Sequence, residues 1–85
     1  MTWEVYIIET VSGKYYTGIS TDAERRFQEH TEGGVKAAKY FRTDPAQKIV
    51  YREQCVNRSE ASQREAQIKA LSRSDKIKLV KATCQ

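Results

Sequence analysis

The chain has 85 residues, of which 39% are hydrophobic and 31% charged, and its formal net charge is +4. A chain of this size buries about 60% of its unfolded surface, so we expect one compact domain over residues 1–85 with little room for an internal ligand cavity. The composition excludes wholesale disorder, and no apolar run approaches the roughly 18 residues of a transmembrane helix. Because the first residues show no export signal, we expect a cytoplasmic protein.

The charge is distributed unevenly along the chain. Residues 1–33 carry three basic and six acidic side chains, a net charge of −3, whereas residues 34–85 carry twelve basic and five acidic ones, a net charge of +7. A surface this basic attracts polyanions such as nucleic acid, but a basic surface can also be simply solvated. Composition alone leaves both readings open.

Two segments rich in β-branched and aromatic residues, 3–8 and 15–19, predict a β-hairpin. A two-residue turn would place Tyr6 and Tyr16 on opposite faces of the sheet. A three-residue loop with Gly13 in the left-handed conformation would place both tyrosines on one face. Local rules permit either connection.

A helix is predicted after the hairpin. Thr21 and Glu24 have the spacing of a capping box, and the glycines at 33–34 are typical of a helix end. At 100° per residue, His30 and Arg26 border the buried face of this helix.

The rest of the chain alternates between strand and helix signals. A basic and aromatic connector over residues 35–42 leads to a third strand at 48–52. Ser59 is expected to cap a helix that runs to about Leu71, and Glu65 lies on its apolar side, where an acid is out of place. A last, lysine-rich helix follows. The order ββαβαα predicts an α/β sandwich around a small mixed or antiparallel sheet.

The two cysteines do not predict a metal site. Cys55 and Cys84 form no CxxC pair, and His30 is the one histidine of the chain. A zinc site would therefore lack ligands, and we expect both cysteines to be free thiols.

Several of these side chains suit the hydrolysis of a phosphodiester bond. This reaction requires an activated water, neutralisation of charge on the phosphoryl oxygens and a divalent metal held by oxygen ligands. A tyrosine hydroxyl can act as the base if a nearby cation lowers its pKa. Arg26 suits a phosphate because it is permanently charged and binds two oxygens at once. Glu65 suits Mg²⁺, with water and substrate oxygens completing the octahedron.

Each of these residues also has an ordinary structural role. Tyr6 and Tyr16 can pack in strands, and His30 can interact with the helix dipole near a helix end. Glu65 can pair with Lys69 at i,i+4. Taken one by one, the residues do not distinguish structure from catalysis.

Their order along the chain, however, resembles the GIY-YIG nuclease superfamily, and within it the small stand-alone, single-domain bacterial branch of the YhbQ type. The resemblance covers residues 3–80 and depends on an ordered set of motifs: Val5-Tyr6-Ile7, Tyr16-Thr17-Gly18, Arg26, His30, and Glu65 within Arg64-Glu65-Ala66.

The resemblance implies an α+β fold, a small three-stranded antiparallel sheet flanked by helices with the active site on one sheet face. It therefore favours the hairpin register that brings the two tyrosines together. It also implies a role for each motif residue: Tyr6 as general base or water-positioning phenol, Tyr16 as its neighbour that orients water or phosphate, Arg26 as stabiliser of the transition state, His30 as hydrogen-bond partner of the tyrosine or phosphate, and Glu65 as ligand of one Mg²⁺ or Mn²⁺ ion.

Further residues are predicted to bind the nucleic acid. Gly18 would let its strand approach the substrate closely, because it has no side chain. The connector supplies the remaining candidates: Lys36, Lys39, Tyr40 and Arg42.

We therefore predict a metal-dependent endonuclease of nucleic acid, with DNA as the first candidate substrate and DNA repair or recombination as the setting. Superfamily nucleases usually take target specificity from an attached binding domain, so a protein partner could supply it here. The alternative is a non-catalytic or partner-dependent nucleic-acid-binding module.

Three positions depart from the family pattern. Glu4 stands where the first motif usually has glycine, and Thr17 replaces the isoleucine of the second motif. No asparagine follows Glu65 at a convincing position, and lysines occupy that region instead. These departures concern the efficiency of catalysis more than the fold.

Overall fold

The computed structural model describes residues 2–32 and 44–83, apart from the side chains of His30, Glu32 and Thr83. The connector predicted over 35–42 lies outside this range, as does Cys84. Within the described part, no helix is long and apolar enough to cross a membrane. The predicted element order is confirmed: β1 (Trp3–Thr10), β2 (Tyr15–Ser20), α1 (Ala23–Glu32), β3 (Ala46–Cys55), α2 (Arg58–Lys69) and α3 (Arg73–Thr83).

The three strands form one antiparallel sheet in the order β2-β1-β3. The central position of β1 follows from its composition, because a strand paired on both sides and covered on both faces needs an almost continuous apolar run. Residues Val5 to Ile8 are all buried. The α+β class with a small three-stranded antiparallel sheet, expected from the family resemblance, is confirmed.

The β1–β2 connection is the three-residue loop. Gly13 has φ +90°, a left-handed value that glycine adopts without steric cost. The Gly13 amide donates to the Thr10 carbonyl at 2.9 Å, and the Thr10 amide donates to the Lys14 carbonyl at 2.8 Å. This loop sets the register that places Tyr6 and Tyr16 on the same face of the sheet.

Asp44 ties the hairpin loop to the segment that leads into β3. Its carboxylate accepts hydrogen bonds from the hydroxyls of Thr10 at 2.7 Å and Ser12 at 2.6 Å. These bonds, those from Ser12 first, hold the pKa of Asp44 below its usual value.

Apolar side chains cover both faces of the sheet. One face packs against α2 and α3, with a buried cluster of Val5, Ile7, Tyr51, Cys55, Ala61, Ile68 and Val80. The other face packs against α1, with Tyr6, Ile8, Ala23 and Ala46 buried and Tyr16, Phe27 and Ile49 against them. Ala23 is buried and Phe27 is partly buried on the face of α1 that packs on the sheet, and Cys55 is a buried free thiol, as expected.

A β-bulge in β3 places Tyr51 and Ile49 on opposite faces of the sheet, in the two different clusters. Ile7 lies opposite Tyr51, whereas Ile8 lies opposite Ile49, so Val50 is the extra residue. Without the bulge, Tyr51 and Ile49 would point to the same face. The alternation of apolar and polar residues in the sequence does not show that β3 changes face at Val50.

Two predicted helix caps are wrong by one or two residues. At α1 the cap is Asp22 rather than Thr21, because its Oδ1 accepts from the Arg25 amide at 3.1 Å. At α2 the cap is Asn57 rather than Ser59, since its Oδ1 accepts from the Glu60 amide at 2.9 Å. Both caps are Asx side chains, which compete well with Ser and Thr at this position.

Candidate active site

The centre of the site is the phenol of Tyr6, which lies across Gly18 of the neighbouring edge strand. Tyr6 is 2% exposed. A Cβ atom built on Gly18 would lie 2.7 Å from Tyr6 Oη and 2.8 Å from Cζ. No side chain fits at that distance, so the second motif needs glycine in order to hold the tyrosine of the first. The predicted approach of substrate at Gly18 stays a prediction.

Three other predicted site residues converge on this phenol. Arg26 donates a hydrogen bond to Tyr6, and Tyr16 and Glu65 are close enough to act on it electrostatically. These side chains come from β1, β2, α1 and α2, so only the folded chain brings them together.

The surroundings raise the pKa of Tyr6 above its ordinary value. Burial is the largest cause, because it penalises the phenolate, and the electrostatic effect of Tyr16 adds to it. Arg26 acts in the opposite direction, and Glu65 raises the pKa further. Arg26 is the nearby cation that the sequence analysis required, but burial outweighs it. With these protein groups alone, Tyr6 is a neutral phenol at pH 7.

Arg26 is held in place by Glu29, one turn further along α1. The Arg26 Nη1 and Glu29 Oε1 atoms are 2.7 Å apart, and the two side chains are 31% and 17% exposed. Burial would lower the pKa of Arg26, but its hydrogen bonds to Glu29 and Tyr6 raise it overall. Sequence reasoning missed Glu29, although its i,i+3 spacing from Arg26 was a usable signal.

Glu65 occupies the edge of the site and pairs with Lys69. Lys69 Nζ lies 3.4 Å from Glu65 Oε2, and the Glu65 side chain is 24% exposed. Among the described residues, no group of three or more His, Cys, Asp and Glu side chains could hold a metal. One carboxylate still suits Mg²⁺, which keeps several waters and commonly takes one or two carboxylates together with substrate phosphates. Glu65 therefore fits a metal site with a single protein carboxylate. Lys69 would compete with the metal for that carboxylate.

The other predicted site residues fall outside the description. The backbone of His30 belongs to α1, but its side chain is not among the described groups. The four connector residues predicted to bind nucleic acid, Lys36, Lys39, Tyr40 and Arg42, also lie outside it. Their roles stay predictions.

Glu4, which departs from the family pattern, supports the helix that carries Arg26. Its Oε1 accepts from Arg52 Nη2 at 2.8 Å and Nε at 3.0 Å. Its Oε2 accepts from the Ala23 amide at the start of α1, at 3.3 Å. A carboxylate is favourable at the N-terminus of a helix, so Glu4 joins β1, β3 and α1 at one point.

The fold and the convergence of tyrosine, arginine and glutamate define a nuclease-type domain. The family described as the GIY-YIG catalytic domain matches residues 2–78. The chain belongs to this family, and its resemblance to the small stand-alone bacterial branch is confirmed.

Several small bacterial proteins are similar to this chain over most of its length. UPF0213 protein DP2720 from Desulfotalea psychrophila is 48% identical over 81 residues, which cover 95% of this chain and 73% of that protein. UPF0213 protein YhbQ from Escherichia coli is 40% identical over 78 residues, covering 92% of this chain and 76% of that protein. The solution NMR structure of UPF0213 protein BH0048 from Bacillus halodurans matches with a TM-score of 0.61 and 38% identity, over 98% of this chain and 86% of that one.

Family membership supports a nuclease-like function that acts on nucleic acid. GIY-YIG nucleases generally depend on a divalent metal. A carboxylate such as that of Glu65 is an oxygen ligand of the kind that Mg²⁺ takes.

Proposed function

We propose that this protein is a metal-dependent endonuclease that hydrolyses phosphodiester bonds of DNA. The observation that carries the proposal is the convergence of Tyr16, Arg26 and Glu65 on the buried phenol of Tyr6. Titratable groups gathered around a buried tyrosine whose pKa they shift are typical of functional sites.

In the proposed reaction, a water oxygen attacks the phosphorus and the bond to the leaving ester oxygen breaks in line with it. Glu65 holds one Mg²⁺ or Mn²⁺ ion, which when bound neutralises charge on the phosphoryl oxygens. The Lys69 ammonium, which lies 3.4 Å from Glu65 Oε2, would have to move away before that oxygen could bind the metal.

Tyr6 positions the attacking water through its hydroxyl. Where added positive charge lowers its pKa enough to form the phenolate, the phenolate takes the proton of that water, and the leaving ester oxygen takes a proton from solvent. Tyr16, on the same face, orients water or phosphate. Arg26, which donates to Tyr6 and pairs with Glu29, serves a phosphoryl oxygen through its planar guanidinium as charge develops there.

The proposal is tested by incubating the protein with labelled single-stranded, duplex and branched DNA and with RNA, in Mg²⁺, Mn²⁺ or EDTA. Glu65→Gln removes the carboxylate charge with little change of shape. Glu60→Gln is the matched control, because Glu60 lies on the same helix and a glutamine can still accept its bond from the Val56 amide. We expect metal-dependent cleavage that Glu60→Gln retains and Glu65→Gln loses by at least about a hundredfold.

Cleavage that persists in EDTA, or equally in the Glu65→Gln protein, would overturn the metal role of Glu65. Cleavage of RNA and not of DNA would overturn the proposed substrate but leave the reaction class intact.

One observation favours the alternative, a non-catalytic or partner-dependent binding module. Lys69 forms an ion pair with the Glu65 carboxylate that a metal would need. It lies in the region after Glu65 where the family pattern has an asparagine. The alternative predicts salt-sensitive binding of nucleic acid with no metal-dependent product. The same incubation, followed by a binding assay, decides between the two.

We place the reaction in DNA repair or recombination, in the cytoplasm, with a protein partner that supplies target specificity. The support is the family's action on nucleic acid and the basic surface of residues 34–85. The extent of the domain, residues 1–85, also stays a prediction.

A further inference from the structure

A second concave surface lies away from the tyrosine site, between the β1–β2 hairpin and the first turn of α3. Its lining residues are Lys14, Tyr15, Arg73 and Lys76, and we call it the hairpin pocket. Three of its four residues are cations and none is an acid.

Arg73 is the fixed element of the hairpin pocket. Its Nη2 donates to the Gly13 carbonyl at 2.9 Å. Its guanidinium carbon lies 5.7 Å from the centre of the Tyr15 ring, in the range of a cation–π contact. An arginine oriented on two sides loses less freedom when it binds a ligand than a mobile one does.

The two lysines contribute charge that is only partly offset. Lys14 faces Asp44 closely enough to lower the pKa of that carboxyl. The Asp44 carboxylate offsets one positive charge, whereas the pocket is lined by three cations, Lys14, Arg73 and Lys76. The hairpin pocket therefore keeps a positive potential that suits a phosphate group.

The hairpin pocket and the tyrosine site lie along the same edge strand but on opposite faces of the sheet, because Tyr15 packs on the α2–α3 face and Tyr6 on the α1 face. Tyr15 opens β2, and Gly18, beneath the Tyr6 phenol, follows three residues later in that strand. Three residues of strand span about 10 Å. A nucleic-acid strand that passes around this edge would therefore span at least about three nucleotides, at 3.4 Å of axial rise each, between the two sites.

We infer that the hairpin pocket binds a backbone phosphate of the nucleic acid, a few nucleotides from the bond to be cleaved. This inference rests on the proposed function and adds a second contact to it. The contact holds the strand in register while the tyrosine site acts, since phosphate contacts position a nucleic acid without reading its sequence.

The test compares two double variants that remove the same charge. Lys14→Ala with Lys76→Ala empties the hairpin pocket of lysine. Lys78→Ala with Lys81→Ala is the control, because these lysines belong to α3 but lie 140° to 200° around the helix from Lys76, at about 100° per residue. Affinity for a short fluorescein-labelled single-stranded DNA is measured in EDTA, from about 50 to 200 mM salt.

We expect the Lys14/Lys76 variant to bind several-fold more weakly at low salt. The plot of log association constant against log salt concentration has a negative slope. The magnitude of this slope should decrease by about one to two, the value for one or two lost phosphate contacts. The Lys78/Lys81 variant should keep the parent slope. If an alanine variant melts below the parent, the corresponding glutamine variant, which keeps most of the aliphatic stem, replaces it.

The possible failures are distinguishable. If the parent protein binds no DNA, the proposed function and the hairpin pocket are both overturned. If the parent binds and the two double variants have equal slopes, the hairpin pocket alone is overturned. Inorganic phosphate that displaces the DNA at a concentration near that of the DNA phosphates would also overturn it, because the pocket would then be a small-anion site.

Discussion

Arg26 and Glu29 show how a single side chain prepares another for chemistry. Arg26 contacts the Tyr6 hydroxyl and the Glu29 carboxylate, whose Oε1 lies 2.7 Å from its Nη1. A charge-assisted bond of this length fixes both the direction and the plane of the guanidinium. Glu29 is therefore a positioning residue, not a group that touches the substrate.

We expect Glu29→Gln to lower kcat of the cleavage reaction by about tenfold and to leave KM within a few-fold of the parent, because small misplacements of a catalytic group reduce the rate more than binding. Arg26→Ala should cost more, about 10² to 10³ in rate, if Arg26 stabilises the transition state.

Single-turnover kinetics at saturating DNA measure this effect. Gln28→Ala is the control, since Gln28 is the exposed neighbour on the same helix. The assignment fails if Glu29→Gln retains the parent kcat, or if Glu29→Asp does not recover part of what the glutamine variant loses.

At the scale of elements, the site depends on how closely β1 and β2 approach each other. The Tyr6 ring occupies the volume that a side chain at position 18 would need. Tyr6 of β1 and Gly18 of β2 are therefore complementary in shape. The three-residue hairpin loop makes this possible, because it places Tyr6 opposite Gly18. One residue more or less in the loop would place Tyr16 on the face of the sheet opposite Tyr6.

We expect Gly18→Ala to displace Tyr6 and to destabilise the protein by about 1–3 kcal/mol, the usual cost of overpacking. Cleavage should fall much further than the loss of folded protein explains. Gly13→Ala offers a contrast, because nothing lies within 4 Å of its Cβ position and its strain comes from φ +90° alone.

Urea unfolding and cleavage rates measured on both variants separate the two effects. The expected pattern is loss of activity in Gly18→Ala and near-parent activity, with lower stability, in Gly13→Ala. Equal activity in the two variants would contradict the role assigned to the Tyr6–Gly18 contact.

At the scale of the whole molecule, the two faces of the sheet differ in what they contain. The face against α2 and α3 holds a large apolar cluster, while the face against α1 combines a smaller cluster with the tyrosine site. Each face contains one tyrosine whose pKa is raised, mainly by burial: Tyr6 on the α1 face and Tyr51 on the other. Both phenols are thus more stable in the neutral form when the protein is folded.

This predicts a loss of stability at alkaline pH. A group whose folded pKa lies above its unfolded value, about 10 for tyrosine, contributes fully below that value and loses its contribution as pH rises through the folded pKa. We therefore expect the free energy of unfolding to fall above about pH 10. Tyr6→Phe and Tyr51→Phe should each make that fall shallower.

Urea unfolding between about pH 8 and 11 measures the effect, with Tyr15→Phe as the control because Tyr15 is a half-exposed tyrosine of the same sheet. A fall of equal steepness in all four proteins would show that neither buried phenol is responsible.

Much of the candidate site could be read from the sequence because its motifs keep a fixed order and spacing. Tyr6, Tyr16, Arg26 and Glu65 were predicted and do converge. The helix caps were harder, since several Ser, Thr, Asn and Asp residues precede each helix and only the backbone geometry selects one. Glu29 was missed because an i,i+3 charge pair is common on any helix surface.

By itself, the sequence determined the element order, the separation of apolar from charged positions and the family, because these depend on local periodicity and motif spacing. Only the tertiary structure decided two other features: the bulge at Val50 and the Glu4–Arg52 link between β1 and β3. It also raised the pKa of Tyr6. Each of these depends on which atoms are close in space and excluded from water, and distance along the chain does not specify either.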